Sequence, residues 1–135
     1  MKKERIYSPE VPEPPPGQWS NCVRVGDIVY VSGMTAREKD GQTVTAVGEY
    51  EQTKKIFTKI SHMIAAAGGV MNDIASMQIF VTRIGHNTEV WRARKEFFSG
   101  DFPASTLVEV SRLAKPEIVI EINVVAHIGC SGEKI

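Results

Sequence analysis

Eight residues near the C-terminal end, 118–125 (IVIEINVV), restrict the fold more than any other stretch. Ile118, Ile120, Ile122 and Val124 alternate with Val119, Glu121, Asn123 and Val125, the period of two that sends successive side chains to opposite faces of a strand. The first set is wholly apolar and belongs against a core. The second places one carboxylate and one amide between valines. Burying that carboxylate without a partner costs several kcal/mol, on the order of a whole folding margin, so Glu121 must be paired, hydrogen-bonded or set at a cavity. A strand glutamate can equally face bulk water on a sheet with one wet side. The wider segment, Phe102 to His127, reads as two strands joined by the short connection Leu113-Ala114-Lys115-Pro116.

The rest of the chain decides what that strand joins. Residues 1–17 form an extended arm, proline-dense over 9–17 (PEVPEPPPG), with a brief strand conceivable within Glu4–Ser8; the arm delivers Gln18, Trp19 and Ser20 to a defined place. Asn21–Val25 and Ile28–Met34 read as strands around a Gly26-Asp27 turn. Ser32-Gly33 closes the second strand, and a glycine there admits a close neighbour. Val44–Val47 reads as a short edge strand. Gly48–Ala67 is the clearest helix: Ile56, Phe57, Ile60, Ile64 and Ala67 share one stripe, and Gly68-Gly69 stops it. Asp73–Ile84 follows as a strand. A second helix runs from Asn87 or Thr88 to Phe98, with Val90, Trp91, Arg94, Phe97 and Phe98 facing inward. Residues 129–135 are a polar tail expected to fray.

This order predicts an α+β domain spanning residues 1–135, a mixed sheet of about six strands with both helices on one face. The opposite face, carrying Glu121 and Asn123, is left bare, and a bare face studded with valines suggests self-association.

Composition excludes several functions. Sixteen basic and sixteen acidic residues give zero formal charge, so no nucleic-acid partner and no anionic membrane is expected. Arg92, Arg94 and Lys95 are the one local basic group, and they fall on different sides of their helix. Cys22 and Cys130 are far apart and His86 and His127 isolated, which gives no metal-ligand spacing. Ser20, Ser32 and Ser105 lack a nucleophile-elbow context, and the glycine pairs form no phosphate loop. The lysine-bearing start has no apolar run behind it, so a cytoplasmic protein with free thiols is the expectation.

Taken together, several pieces resemble the RidA (YjgF-like) family of reactive-intermediate deaminases. They are Trp19-Ser20, Val23-Arg24-Val25-Gly26, Val29-Tyr30-Val31-Ser32-Gly33, Glu51-Gln52-Thr53, Ala65 to Gly68 and Phe97-Phe98. Most specific are Phe102-Pro103-Ala104 through Val108-Glu109-Val110-Ser111-Arg112-Leu113 and then Ile120-Glu121-Ile122. The resemblance implies a chorismate-mutase-like fold and a homotrimer with small-molecule sites in the clefts between subunits. It implies hydrolysis of small imines and enamines to ketoacid and ammonia, with no metal or cofactor. Glu121 matches the glutamate that orients the attacking water. Ser32, Gly33 and Leu107 match ligand-contacting backbone, Trp19 stands where tyrosine is common, and Trp91 replaces a smaller polar residue. Asn123, beside Glu121, joins this substrate-binding set.

The main departure is Ser105, where the family's deaminases carry an arginine that clamps the substrate carboxylate. A serine hydroxyl in its place forgoes a charged hydrogen bond of ~1.5–3 kcal/mol. The sequence therefore predicts an imine or enamine deaminase-type hydrolase of altered specificity. The alternative is a non-catalytic protein that binds a small metabolite or regulates a partner on the same fold. Ribonuclease or translation-inhibitor activity, an older label of the family, is disfavoured by the absent basic surface.

Overall fold

Alternating apolar residues build a sheet, and a helical stripe of isoleucines covers one side of it. The computed structural model describes residues 1–133. Its strands are β1 (Lys3–Arg5), β2 (Cys22–Val25), β3 (Ile28–Met34), β4 (Ile74–Val81), β5 (Ala104–Glu109) and β6 (Ile120–His127). The helices are α1 (Glu49–Ala66) and α2 (Asn87–Arg94). The six strands lie in the order β1-β2-β3-β6-β4-β5, antiparallel throughout except for the parallel pair β4-β5. This is the predicted α+β, chorismate-mutase-like arrangement of a mixed sheet with two helices.

The apolar set of the diagnostic strand sits where its pattern requires. Ile120, Ile122, Val124 and Ala126 are buried, and β6 lies in the middle of the sheet between β3 and β4. Ile56, Phe57, Ile60, Met63 and Ile64 of α1 pack onto that face, all fully buried. Each such side chain contributes roughly 1.5–3 kcal/mol of burial. The α1 stripe ends where Gly68 turns to φ 98°, donating to the Ala65 carbonyl while Gly69 donates to that of Ile64. A left-handed turn of this kind suits glycine and satisfies two helix-end carbonyls.

Four expectations need correction. The segment before β6 is no hairpin partner: β5 pairs in parallel with β4, and residues 110–119 cross over β4 to start β6. The physical reason is burial. β6 is apolar enough for the centre, whereas β5 is exposed at five of six positions and suits an edge. Second, α2 ends at Arg94 rather than Phe98. Glu96 and Phe97 donate to carbonyls three residues back, and this tighter turn swings Phe97 and Phe98 onto Phe57, each ring centroid 5.4 Å away. Third, residues 44–47 form no strand. Fourth, the tail is tied down through Glu133: Ser131 N–H donates to Asp73 Oδ1 at 3.0 Å, and Asn72 Nδ2 donates to Glu133 Oε1 at 2.5 Å. Residues 134–135 of that predicted tail lie outside the described residues. No helix among the described residues is long and apolar enough to cross a membrane.

Candidate functional site

Period two on β6 sends Glu121 and Asn123 away from the helices, onto the bare face, where they stand opposite Phe80 and Gln78 of β4. The Glu121 carboxylate then leans toward β3. The β3–β6 register shifts between Val31 and Met34, so Ser32 and Gly33 form an irregular step in the ladder beside Glu121. Contact there is close: a Cβ on Gly33 would lie 2.3 Å from Oε2 of Glu121. Only a glycine leaves room for the acid. Ser32 is committed locally, its hydroxyl donating to the Ser20 carbonyl at 2.5 Å and its N–H to that of Asn21 at 2.8 Å. These bonds dock the end of the arm against β3.

Glu121, Ser32, Gly33 and Trp19 line one cleft of about 890 Å³, and the prolines of the arm form its far wall. The arm is anchored by Val11, which is buried, and by Asn21 Nδ2, which donates to the Pro12 carbonyl at 2.8 Å. Glu121 is half-buried and accepts no hydrogen bond from any described residue. Burial pushes its carboxyl above the ordinary glutamate range, and the positive charge of Arg37 partly opposes this. A carboxyl of that kind can exchange a proton closer to neutral pH.

Arg37 and Lys59 also line the cleft and were not singled out by the sequence. Lys59, on α1, is buried and donates to the carbonyls of Thr35 (2.7 Å) and Arg37 (3.2 Å), fixing the loop after β3. Burial pushes its ammonium down to about 8. The Arg37 Nε is buried without a hydrogen-bond partner. Arg37 sits in a turn rich in charged residues, where pattern alone marks no residue as facing inward. A neighbouring cleft of about 930 Å³ shares Arg37 and Lys59, and two ion pairs line it, Lys55 to Glu38 at 2.6 Å and Lys39 to Glu10 at 3.0 Å. Its one acid without a bonded partner among the described residues, Glu51, is exposed, so the cleft reads as a solvated surface groove.

The remaining predicted site residues lie elsewhere. Ser105 and Leu107 stand opposite Met77 and Ile79, both buried, and so share the helix-bearing side of the sheet. Trp91, on α2, is half-buried beside them; Arg94, one turn of α2 further on, carries its guanidinium 4.3 Å over the Trp91 ring and donates to Ser105 Oγ at 3.0 Å. Asn123 faces the same way as Glu121 but lies outside the lining of its cleft. One copy of the chain therefore brings Trp19, Ser32, Gly33 and Glu121 together, and separately Trp91 and Ser105. It does not join the two groups.

Comparison with known proteins agrees with this architecture. The family described as Endoribonuclease L-PSP matches residues 11–128. A RutC family protein of Saccharolobus solfataricus is 33% identical over 125 residues, 93% of this chain and 98% of that one. The 3-aminoacrylate deaminase RutC of Acinetobacter baylyi is 31% identical over 128 residues, 95% of this chain and all of the other. Among solved structures, a Pseudomonas aeruginosa protein of unknown function aligns at TM-score 0.83 with 36% identity, covering 94% of this chain and 93% of its own. A Rid-family protein of Yersinia pestis aligns at TM-score 0.86 with 27% identity, covering 94% of this chain and all of its own. The motifs, the sheet order and these matches agree along almost the whole length: this chain belongs to the YjgF/RidA family, the family whose profile is described as Endoribonuclease L-PSP.

Proposed function

We propose that this protein is a deaminase-type hydrolase of small imines and enamines, working as a homotrimer whose substrate clefts lie between subunits. The observation that carries the reading is the half-buried Glu121 carboxylate, unbonded, pressed against Gly33 at the mouth of a cleft. In the reaction, an enamine takes a proton on carbon to become an iminium. Glu121, as carboxylate, orients a water and accepts its proton while the water oxygen bonds to the C=N carbon. Glu121 passes that proton to the nitrogen of the resulting carbinolamine, the C–N bond breaks with ammonia as leaving group, and the hydroxyl proton returns to the carboxylate, leaving a carbonyl. A relative named for 3-aminoacrylate deamination supports this reaction class.

The division of the site residues supports assembly from several copies. Trp19, Ser32, Gly33 and Glu121 form one half-site, and Trp91, Ser105 and Leu107 the other, on opposite sides of the sheet. On the bare face Tyr30 and Val108 are 45% and 42% exposed, with Val125 and Phe80 half-buried beside them. A second copy covering those groups would remove apolar area from water and dry the cleft.

The test is ammonia release from 3-aminoacrylate and 2-iminobutanoate, each generated in place, by the full chain and by Glu121→Gln. Acceleration over spontaneous hydrolysis that disappears in the variant supports the reading. No acceleration of either compound, with ketoacids raising the melting temperature, would replace it with the non-catalytic metabolite-binding alternative.

A further inference from the structure

Seven arginines occur in the chain, and most have an acidic partner. Arg5 pairs with Glu13, Arg24 with Asp27, Arg83 with Glu49 and Arg92 with Glu89. Arg94 does not. It is half-buried, its Nε is buried with no hydrogen-bond partner, and among the described residues its one hydrogen bond goes to the neutral Ser105 hydroxyl. Its guanidinium is held in place on two sides, by the Trp91 ring and by Ser105, with most of its five N–H groups unspent. Burial lowers its pKa, yet a guanidinium keeps its proton, so it remains a desolvated cation lacking a counter-charge. Such a cation is incomplete until an anion arrives.

We propose that Arg94, steadied by Trp91 and Ser105, is the anion-binding group of the substrate site, and that the substrate is a small carboxylate. The charged grip thus comes from the end of α2, and the serine of the edge strand orients it instead of supplying it. This rests on the preceding reading, because the carboxylate held by Arg94 of one copy would present its C=N carbon to Glu121 of another. The chemistry that recognises the ligand is a planar, two-oxygen anion on the fork of a stacked guanidinium. The sequence alone suggested the opposite, a loss of carboxylate binding, because it compared residue 105 with its counterpart and not with residue 94.

The experiment measures binding of 2-oxobutanoate and of the neutral 2-oxobutanamide by titration calorimetry at low salt, on the full-length protein. The expected result is roughly tenfold or greater preference for the acid. Arg94→Met should abolish that preference, weakening the acid more than the amide, and Arg94→Lys should retain part of it. Arg94→Met combined with Ser105→Arg should restore it. Melting temperature and association state are read for every variant, and Arg94→Lys keeps the test decisive if the methionine variant does not fold. An unaltered acid preference in Arg94→Met, or no preference in the parent protein, overturns the proposal. Glu121→Gln separates the two readings. It should lose turnover and keep the acid preference; in the parent protein, absent turnover with intact preference refutes the hydrolase alone, and turnover without preference refutes Arg94 alone.

Discussion

Glu49 and Glu121 are two sheltered carboxylates with opposite surroundings. Glu49, 2% exposed at the start of α1, accepts both prongs of the Arg83 guanidinium at 2.8 and 2.9 Å. Both of its oxygens are engaged by that one cation, and it ties the helix to the segment that follows β4. Glu121 is less buried yet accepts nothing from any described residue, and its close neighbour is the bare backbone of Gly33. Burial by itself thus does not mark a working acid. What separates the two is whether the fold has already satisfied the charge, since a carboxylate paired with a cation is a weaker base toward a water molecule.

Removing each acid should have opposite consequences. Glu121→Gln is expected to lower turnover of an imine substrate by about a hundredfold or more, the usual contribution of a positioned base, without lowering the melting temperature. Gly33→Ala comes next. The new methyl group must displace the carboxylate it meets at 2.3 Å, so turnover should fall about tenfold and stability by roughly 1–3 kcal/mol. Glu49→Gln should leave turnover per folded molecule intact and cost about 1.5 kcal/mol, the low end for charged hydrogen bonds because Arg83 is half in water. Thermal melting would show this as a drop of roughly 4–7 °C. Equal losses of turnover in the two glutamate variants would erase the distinction.

The smallest effect is a shift in pH dependence. In the proposed mechanism the carboxylate is the active form; with burial raising its pKa, turnover should climb with pH through a midpoint above that of an ordinary glutamate. Arg37→Met should move the midpoint higher still, since the arginine charge is what opposes burial. The stability sign follows. A folded pKa above the unfolded one favours the fold while Glu121 is protonated, and that advantage is lost as pH rises through the folded pKa. Glu121→Gln should therefore match the parent in acid and exceed it in melting temperature at neutral pH.

Much of this was legible in the sequence, and for identifiable reasons. The alternation over 118–125 fixed both the central strand and the outward aim of Glu121, because period two leaves no freedom once one face is buried. The glycine at 33 was readable as a close approach. The pairing of β5 with β4 was not, since a crossover of ten residues leaves the same local pattern as a hairpin. Arg94 shows where linear reading stops. Helical spacing sends it inward, but its contact with Ser105 depends on how the end of α2 meets the edge strand, and no periodicity encodes that.

The proline wall of the Glu121 cleft has a consequence for how any guest must lie. Pro12, Pro14, Pro15 and Pro16 have no amide hydrogen, and the Pro12 and Pro15 carbonyls already accept from Asn21 Nδ2 and the Gln18 N–H, so these four residues offer the chamber mostly hydrocarbon. The cations of the cleft, Arg37, Lys39 and Lys59, lie outside that run of prolines. The wall therefore acts as a non-stick lining: a visitor can rest hydrocarbon against it, and what fixes its orientation must come from the charged groups around the acid.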